Sequence, residues 1–197
     1  MTVEPHLEFD RLLRGMLRCA SLAGPWRGVA YRAVAPRYAD SGDLLSGRGS
    51  QLHGGRWNAP GTFSAIYGSL TPETAMAEVF SSFRAFNIPI YRALPRTFLA
   101  LDVQLQRVLD LTKGLVRRHL GVSRRRMVEE EWRRLQNRGR EALTQAIGRA
   151  AHDAGLEALR VPCAAVADGS NLVIFPANLA AASRLALFDE NGAGERA

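Results

Sequence analysis

The chain has only two cysteines, Cys19 and Cys163, among its 197 residues. They stand in unrelated contexts, with no CxxC spacing and no paired histidine. A disulfide framework needs several cysteines, and a structural zinc site needs clustered cysteine or histidine ligands. The sequence therefore predicts no disulfide and no metal site, and we expect both thiols to be buried as small apolar side chains.

Long apolar segments are also missing. A helix that crosses a membrane needs a run of about 18 or more apolar residues, and the chain has none. Its first ten residues, MTVEPHLEFD, contain acids where a secretory signal would contain lysines. These features predict a soluble cytoplasmic protein without membrane attachment.

Several common catalytic motifs are absent as well. The glycines between residues 47 and 55 do not form GxGxxG, and no GK[ST] occurs, so neither a Rossmann dinucleotide site nor a P-loop is predicted. The chain lacks GxSxG, and none of its four histidines stands in a nucleophile motif. This pattern argues against a serine hydrolase.

Positive charge is concentrated in one stretch of the chain. The formal net charge is +7, and residues 117–140, with nine arginines and three glutamates, hold a surplus of six positive charges. In SRRRMVEEEWRRLQ, arginines and glutamates recur at i,i+4 spacing, which is typical of an exposed helix. Direct nucleic-acid binding is not favoured, because Trp132 is the only aromatic residue among these arginines that could stack on a base.

Hydrophobic patterning predicts an α+β fold with a mixed or antiparallel central sheet and flanking helices. Helices are expected over residues 1–24, after Thr71-Pro72, and over 123–154 with a break near Gly139, and residues 35–60 are expected to form a long loop. The predicted strands are GVAYRAV, TFSAIYGS, RTFLALDV, RVLDLT, LEALRVPC and NLVIFP. We expect a helical extension over residues 1–27, one domain over 28–190 and a flexible tail over 191–197.

Two arginines are candidates for binding an anion. Arg32 lies inside an apolar strand, where it either snorkels into water or presents a rigidly held guanidinium to a phosphate or carboxylate. Arg56 follows Gly54-Gly55, which permit a close backbone approach, and could complete a clamp for a diphosphate. Alternatively, these glycines only form a turn and Trp57 fills the core.

Glu78 is a candidate carboxylate on the helix that follows Thr71. It lies off the apolar stripe, on a face whose small residues suit close approach by another element or a ligand, although an exposed helix former would look the same. Ser170 and Asn171 follow Gly169 and open the last strand. Turn chemistry alone explains them, and Ser170 is better suited to binding than to nucleophilic attack.

Taken together, five segments resemble the RES domain, a bacterial toxin family named for its arginine, glutamate and serine. They are YRAV, GGRWN, AIYGS, TAMAEV and SNLVIFP, and they extend from about Val29 to Pro176. The most specific part is GGRWN, then the tyrosine of AIYGS, then the helix that contains the glutamate, in that order and at close spacing.

The resemblance implies a compact ADP-ribosyltransferase-like fold and an enzyme that uses NAD as a substrate and needs no cofactor. Its members hydrolyse or phosphorolyse NAD, or transfer ADP-ribose to a protein, and an Xre-like antitoxin masks the pocket. A homodimer or a larger toxin–antitoxin assembly is compatible with this. Transferred to this chain, the predicted catalytic residues are Glu78 and Arg32, and the predicted substrate-binding residues are Arg56, Tyr67, Ser170, Trp57 and Asn171.

This implied chemistry suits the residue types. Breaking the nicotinamide–ribose bond develops positive charge on the sugar, which a carboxylate such as Glu78 stabilises. We expect Arg125, Arg126, Arg133 and Arg134 to serve the surface and partner contacts rather than the reaction. The competing hypothesis is a non-catalytic module that binds nucleic acid or a partner through residues 117–140.

Overall fold

The computed structural model describes residues 3–36, 39 and 41–188, without the side chains of 41–43, so the predicted tail at 191–197 lies outside it. The helices are α1 (Phe9–Cys19), α2 (Ser41–Ser46), α3 (Arg48–His53), α4 (Pro72–Ala85), α5 (Gly114–Leu120), α6 (Arg124–Glu129), α7 (Trp132–Asn137) and α8 (Leu143–Asp153). The strands are β1 (Gly24–Val34), β2 (Ile66–Ser69), β3 (Thr97–Asp110), β4 (Ala158–Pro162), β5 (Ser170–Ile174) and β6 (Arg184–Leu187).

Within the described residues, these strands form one sheet in the order β1-β2-β5-β4-β3-β6. Strand β1 also pairs with β3 from Gly24 to Val34, which closes five strands into a ring. The β3–β4 pair is parallel and the other pairs are antiparallel. The expected α+β fold with a mixed sheet is therefore confirmed.

Side chains that alternate along the strands divide between two cores. One core consists of strand residues from inside the ring: Ala30, Ile66, Leu101, Val103, Leu105, Val108, Ala158, Leu172 and Ile174. The other core lies on the outer face of the sheet, where Val173 and Phe175 meet apolar residues of α1, α5 and α8. The near-continuous apolar run NLVIFP is explained by this position, because β5 is buried on both faces.

Two elements differ from the sequence prediction in continuity. RTFLALDV and RVLDLT are one 14-residue strand, β3, because its pairing with β1 continues through both segments. The predicted helix over 123–154 is interrupted near Gly139 as expected, and also at Glu130-Glu131. Glu130 leaves the helix because its carboxylate accepts hydrogen bonds from the backbone amides of Leu143 and Thr144, at 2.8 and 2.9 Å, at the start of α8.

Other elements were missed. The predicted loop over residues 35–60 contains the short helices α2 and α3, and β6 had no predicted counterpart. Both helices are six residues long, too short for a clear 3.6-residue periodicity. Strand β6 has only four residues, too few for an alternation of apolar and polar residues to be recognised.

The N-terminal helix belongs to the main core. In α1, Leu12 and Met16 are fully buried and the helix packs on α8. Leu7 and Leu17, expected on the same apolar face, are 90% and 55% exposed. Because β1 begins at Gly24, the predicted boundary between residues 27 and 28 falls inside a strand.

We predict that Leu12→Ala lowers the free energy of unfolding by about 2–4 kcal/mol, because it removes a fully buried side chain and leaves a cavity between α1 and α8. Urea unfolding followed by circular dichroism measures this. The matched control is Leu17→Ala on the same helix, which should change stability by less than about 0.5 kcal/mol. If Leu12→Ala lowered the free energy of unfolding as little as Leu17→Ala does, α1 would not be part of the main core.

Candidate active site

A cleft of about 510 Å³ lies where β1 and β2 separate. These two strands are joined by one residue pair, Tyr31 with Ser69, so the ring of strands opens at this side. The cleft is lined by the C-terminal end of β1, the loop containing Arg56, strand β2, helix α4 and the start of α7. Among the described residues, its ionisable lining residues are Tyr31, Arg32, Arg56, Tyr67, Glu78, Arg96 and Arg133, and Asn171 adds a side-chain amide.

Helix α4 presents Glu78 to the cleft. The helix begins as the sequence predicts, with Thr71 accepting a hydrogen bond from the Thr74 amide at 3.1 Å and Pro72 in the first turn. The predicted apolar stripe is only half-buried, whereas Ala75 is buried. The small-residue face therefore approaches the sheet, and Glu78, one turn after Ala75, lies beside it in the cleft.

Glu78 is held through one of its two carboxylate oxygens. Oε1 accepts hydrogen bonds from Asn171 Nδ2 at 2.8 Å and from the Cys163 thiol at 3.0 Å. Ser69 Oγ donates to Asn171 Oδ1 at 2.8 Å and so fixes the amide orientation. Oε2 accepts no hydrogen bond from any described residue, which leaves it available to a ligand.

Cys163 has a polar role that the sequence did not reveal. The thiol is buried as predicted, but it donates to Glu78 and accepts from the Ala165 amide at 3.2 Å. Burial, reinforced by Glu78, raises the pKa of Cys163 to about 11. The group therefore stays a protonated donor at neutral pH. No sequence motif marks it, because the contact joins residues 85 positions apart.

Arg56 is anchored to the end of helix α6. Its Nη1 donates to the carbonyl oxygens of Met127 at 2.9 Å and Glu130 at 3.3 Å. Burial lowers the pKa of Arg56, and the nearby charge of Glu78 counteracts this shift. The guanidinium is therefore a partly desolvated cation close to the carboxylate.

Tyr67 organises the loop that contains Arg56. Its hydroxyl donates to Asn58 Oδ1 at 2.6 Å and accepts from the Trp57 amide at 3.0 Å. A side chain at Gly55 would clash with this hydroxyl, so glycine is needed there. Trp57 is only 3% exposed and belongs to the outer core, and it also borders the cleft, so its role in substrate binding stays a prediction. Burial raises the pKa of Tyr67, which keeps the phenol neutral.

Arg32 does not snorkel into solvent. Its Nη1 donates to the carbonyl oxygen of Leu44 in α2 at 2.6 Å, and burial lowers the pKa of its guanidinium. The side chain lies on the face of β1 opposite to Tyr31, and the cleft reaches both faces at the end of this strand.

Arg133 was assigned to the surface, and the structure places it in the cleft instead. Its Nη2 donates to Ser82 Oγ at 3.1 Å, and its guanidinium lies over the Trp132 ring, 4.4 Å from the centroid. The predicted i,i+4 ladder is present at Arg125 and Glu129, whose side chains pair at 2.7 Å, and it ends at the interruption at Glu130-Glu131, which changes the orientation of α7. Arg134 keeps the expected exposed position and pairs with Glu131.

Comparison with known proteins now assigns the family, because the model of the RES domain matches residues 29–191. The chain belongs to the RES-domain family. Proteins named NAD(+) phosphorylase MbcT, from Mycobacterium bovis and Mycobacterium tuberculosis, are 28% identical over 159 residues, covering 79% of this chain and 78% of theirs. A chain in the crystal structure of the M. tuberculosis MbcT–MbcA toxin–antitoxin complex matches with a TM-score of 0.68 at 26% identity, covering 90% of this RES-domain protein and 91% of that chain.

The three residues that were matched to the arginine, glutamate and serine of the family name do not all line the cleft in this RES domain. Arg32 and Glu78 do, whereas Ser170 is not among the lining residues. Ser170 and Asn171 alternate on β5, so their side chains point to opposite faces, and the Ser170 carbonyl accepts from the Leu70 amide at 3.0 Å. Asn171 is the residue of this pair that contacts Glu78.

The described part of the RES-domain protein contains no helix that is both long and apolar enough to cross a membrane. In the same residues, no group of three or more histidine, cysteine, aspartate or glutamate side chains is arranged to bind a metal ion.

We predict that Tyr67→Phe lowers the free energy of unfolding by about 1–3 kcal/mol, because it leaves Asn58 Oδ1 and the Trp57 amide without their buried partner. Chemical unfolding monitored by tryptophan fluorescence measures the change. Tyr91→Phe, at a position that is 72% exposed, is the matched control and should be neutral. A neutral Tyr67→Phe would mean that the hydroxyl does not organise the loop.

Proposed function

We propose that this RES-domain protein is a bacterial toxin that cleaves the nicotinamide–ribose bond of NAD, by phosphorolysis or hydrolysis, and that a cognate antitoxin neutralises it. The observation that carries this proposal is the cleft that Glu78 shares with half-buried guanidinium groups, where one of its carboxylate oxygens accepts no hydrogen bond from the described residues. The relatives named NAD(+) phosphorylase support the same substrate.

The charges of the cleft match those of the reaction. Departure of nicotinamide leaves the ribose with oxocarbenium character, and a carboxylate oxygen aimed at that sugar stabilises the developing positive charge. Glu78 Oε2 is suited to this role because Asn171 and Cys163 hold the other oxygen in place. The anionic groups of the reactants require cations, which Arg32 and Arg56 supply.

The acceptor decides the reaction class. Nicotinamide leaves in every case. With phosphate the other product is ADP-ribose with a phosphate on the reacting ribose carbon, with water it is ADP-ribose, and with a protein side chain it is an ADP-ribosylated protein. The names of the relatives favour phosphate. Mass spectrometry of the ribose product after incubation with NAD, with and without phosphate, tests the three outcomes. No cofactor or metal is needed for any of them, since NAD itself supplies the leaving group.

The proposed partner is an Xre-like antitoxin that covers the cleft. The support is a solved relative that was crystallised with its antitoxin, MbcA. A homodimer or a larger assembly with the antitoxin remains a prediction from the sequence, as does a cytoplasmic location.

We predict that Glu78→Gln abolishes NAD consumption and toxicity while the fold is kept. Glutamine retains an oxygen that can accept from Asn171 and Cys163, so the packing contacts survive, but the negative charge that stabilises the sugar cation is lost. Nicotinamide release by the purified variant, with circular dichroism as the folding check, measures both effects.

Glu73→Gln is the matched control for this substitution, because Glu73 is exposed in the first turn of the same helix and lies outside the cleft. It should keep wild-type turnover. Near wild-type turnover by Glu78→Gln would exclude Glu78 as the catalytic carboxylate.

We predict that Arg32→Lys weakens NAD binding by about tenfold without unfolding the protein. Lysine keeps the positive charge but loses the planar fork that can contact Leu44 and an anion at the same time. Calorimetric titration with NAD measures the change, with Arg27→Lys at an exposed position of the same strand as the control. Unchanged affinity would exclude Arg32 from the anion site.

A further inference from the structure

Neutral side chains hold the guanidinium of Arg133 in place, and none of them carries a negative charge that would neutralise it. Its guanidinium lies over the rings of Trp132, at 4.4 Å, and Phe86, at 5.3 Å, and donates to the hydroxyl of Ser82. A guanidinium has five N–H donors, and in the described residues Ser82 is the one hydrogen-bond acceptor of Arg133. No carboxylate of that part of the chain lies within ion-pair distance of Arg133.

A second cation lies close to Arg133. Burial lowers the pKa of Arg133, and the charge of Arg56 lowers it further, while Glu78 acts in the opposite direction. Arg56 also lacks a paired carboxylate among the described residues, since its partners are backbone carbonyls. Partly desolvated charges are normally compensated by a counter-charge. Glu130 also acts on Arg56, but its carboxylate is held by backbone amides at the start of α8. Among the described residues, the cleft is lined by four guanidinium groups, those of Arg32, Arg56, Arg96 and Arg133, and by the single carboxylate of Glu78, which leaves positive charge for an anionic ligand to neutralise.

The position of this surplus charge identifies the anion. Arg133 donates to Ser82, which lies one turn after Glu78 on α4, whereas Arg32 is fixed to Leu44 in α2. Arg133 therefore stands on the Glu78 side of the cleft, where the reacting sugar carbon must lie if Glu78 stabilises it. An acceptor has to reach that carbon.

Building on the proposed function, we propose that Arg133 binds inorganic phosphate and presents it to the ribose carbon beside Glu78. In this step a phosphate oxygen forms a bond to the ribose carbon while the bond from that carbon to the nicotinamide nitrogen breaks. The bonding electron pair goes to the pyridinium nitrogen, so nicotinamide leaves as a neutral molecule. Monohydrogen phosphate keeps its own proton, so no general base is required.

The test is the phosphate dependence of nicotinamide release at saturating NAD. Arg133→Gln should raise the KM for phosphate by about tenfold to hundredfold, the range expected for loss of a charge-assisted contact. The KM for NAD should change much less. Arg133→Lys, which keeps the charge, should recover part of the phosphate affinity.

Arg134→Gln is the matched control, because it removes the same side chain from the same helix at an exposed position. It should leave the KM for phosphate unchanged. Ser82→Ala, which frees the Arg133 guanidinium on one side, should raise the KM for phosphate to a smaller extent than Arg133→Gln. If circular dichroism shows that Arg133→Gln does not fold, the KM for phosphate of Ser82→Ala decides: an unchanged value would overturn the proposal.

The outcomes separate this proposal from the function on which it rests. An unchanged KM for phosphate in the folded Arg133→Gln variant would overturn it, as would a rise in the KM for NAD of the same size, which would assign Arg133 to the diphosphate of NAD. A wild-type reaction that is independent of phosphate would overturn this proposal and leave NAD cleavage standing. A wild-type protein that releases no nicotinamide would overturn both.

Discussion

The hydrogen bond from Asn171 Nδ2 to Glu78 Oε1 connects strand β5 to helix α4, and the geometry of the cleft depends on it. Strand β5 is buried on both faces and is rigid for that reason. Helix α4 is capped at its start, packs on β1 and β2, and contacts the segment Ile90–Ala93. The bond, oriented by Ser69, transfers the rigidity of the sheet to the carboxylate, so one oxygen of Glu78 is held and the other is left to act.

Electrostatics imposes the second constraint. A cleft that handles anions needs guanidinium groups, but partly desolvated guanidinium groups repel each other when it is empty. The structure limits this cost with neutral dipoles: backbone carbonyls hold Arg32 and Arg56, and a hydroxyl and two aromatic rings hold Arg133. These contacts orient the cations without neutralising them, which leaves their charge for a ligand.

Much of the fold and of the candidate site was predictable from residues that are close together in the sequence. The cap at Thr71-Pro72 and the apolar runs of β1 and β5 were predicted because each depends on neighbours in sequence. The motif GGRWN placed Arg56 in the cleft, and the small residues beside Glu78 marked the face that approaches the sheet. The break at Glu130-Glu131 was not predictable in this way, because its cause is a contact with the start of α8, 13 residues later in the chain.

The sequence by itself determined the α+β class through its hydrophobic pattern, and its resemblance to the RES domain gave the family and the candidates Arg32, Arg56, Tyr67 and Glu78, since motifs and patterns of this kind are local in sequence. Only the tertiary structure decided that Asn171 rather than Ser170 contacts Glu78, that Cys163 is a donor, and that Arg133 belongs to the cleft while Arg134 does not. Each of these distinctions rests on the direction of one side chain across a contact between distant segments. Neighbouring residues point to opposite faces of a strand and about 100° apart on a helix. The pattern of residues along the chain does not specify which of two neighbours faces a distant segment.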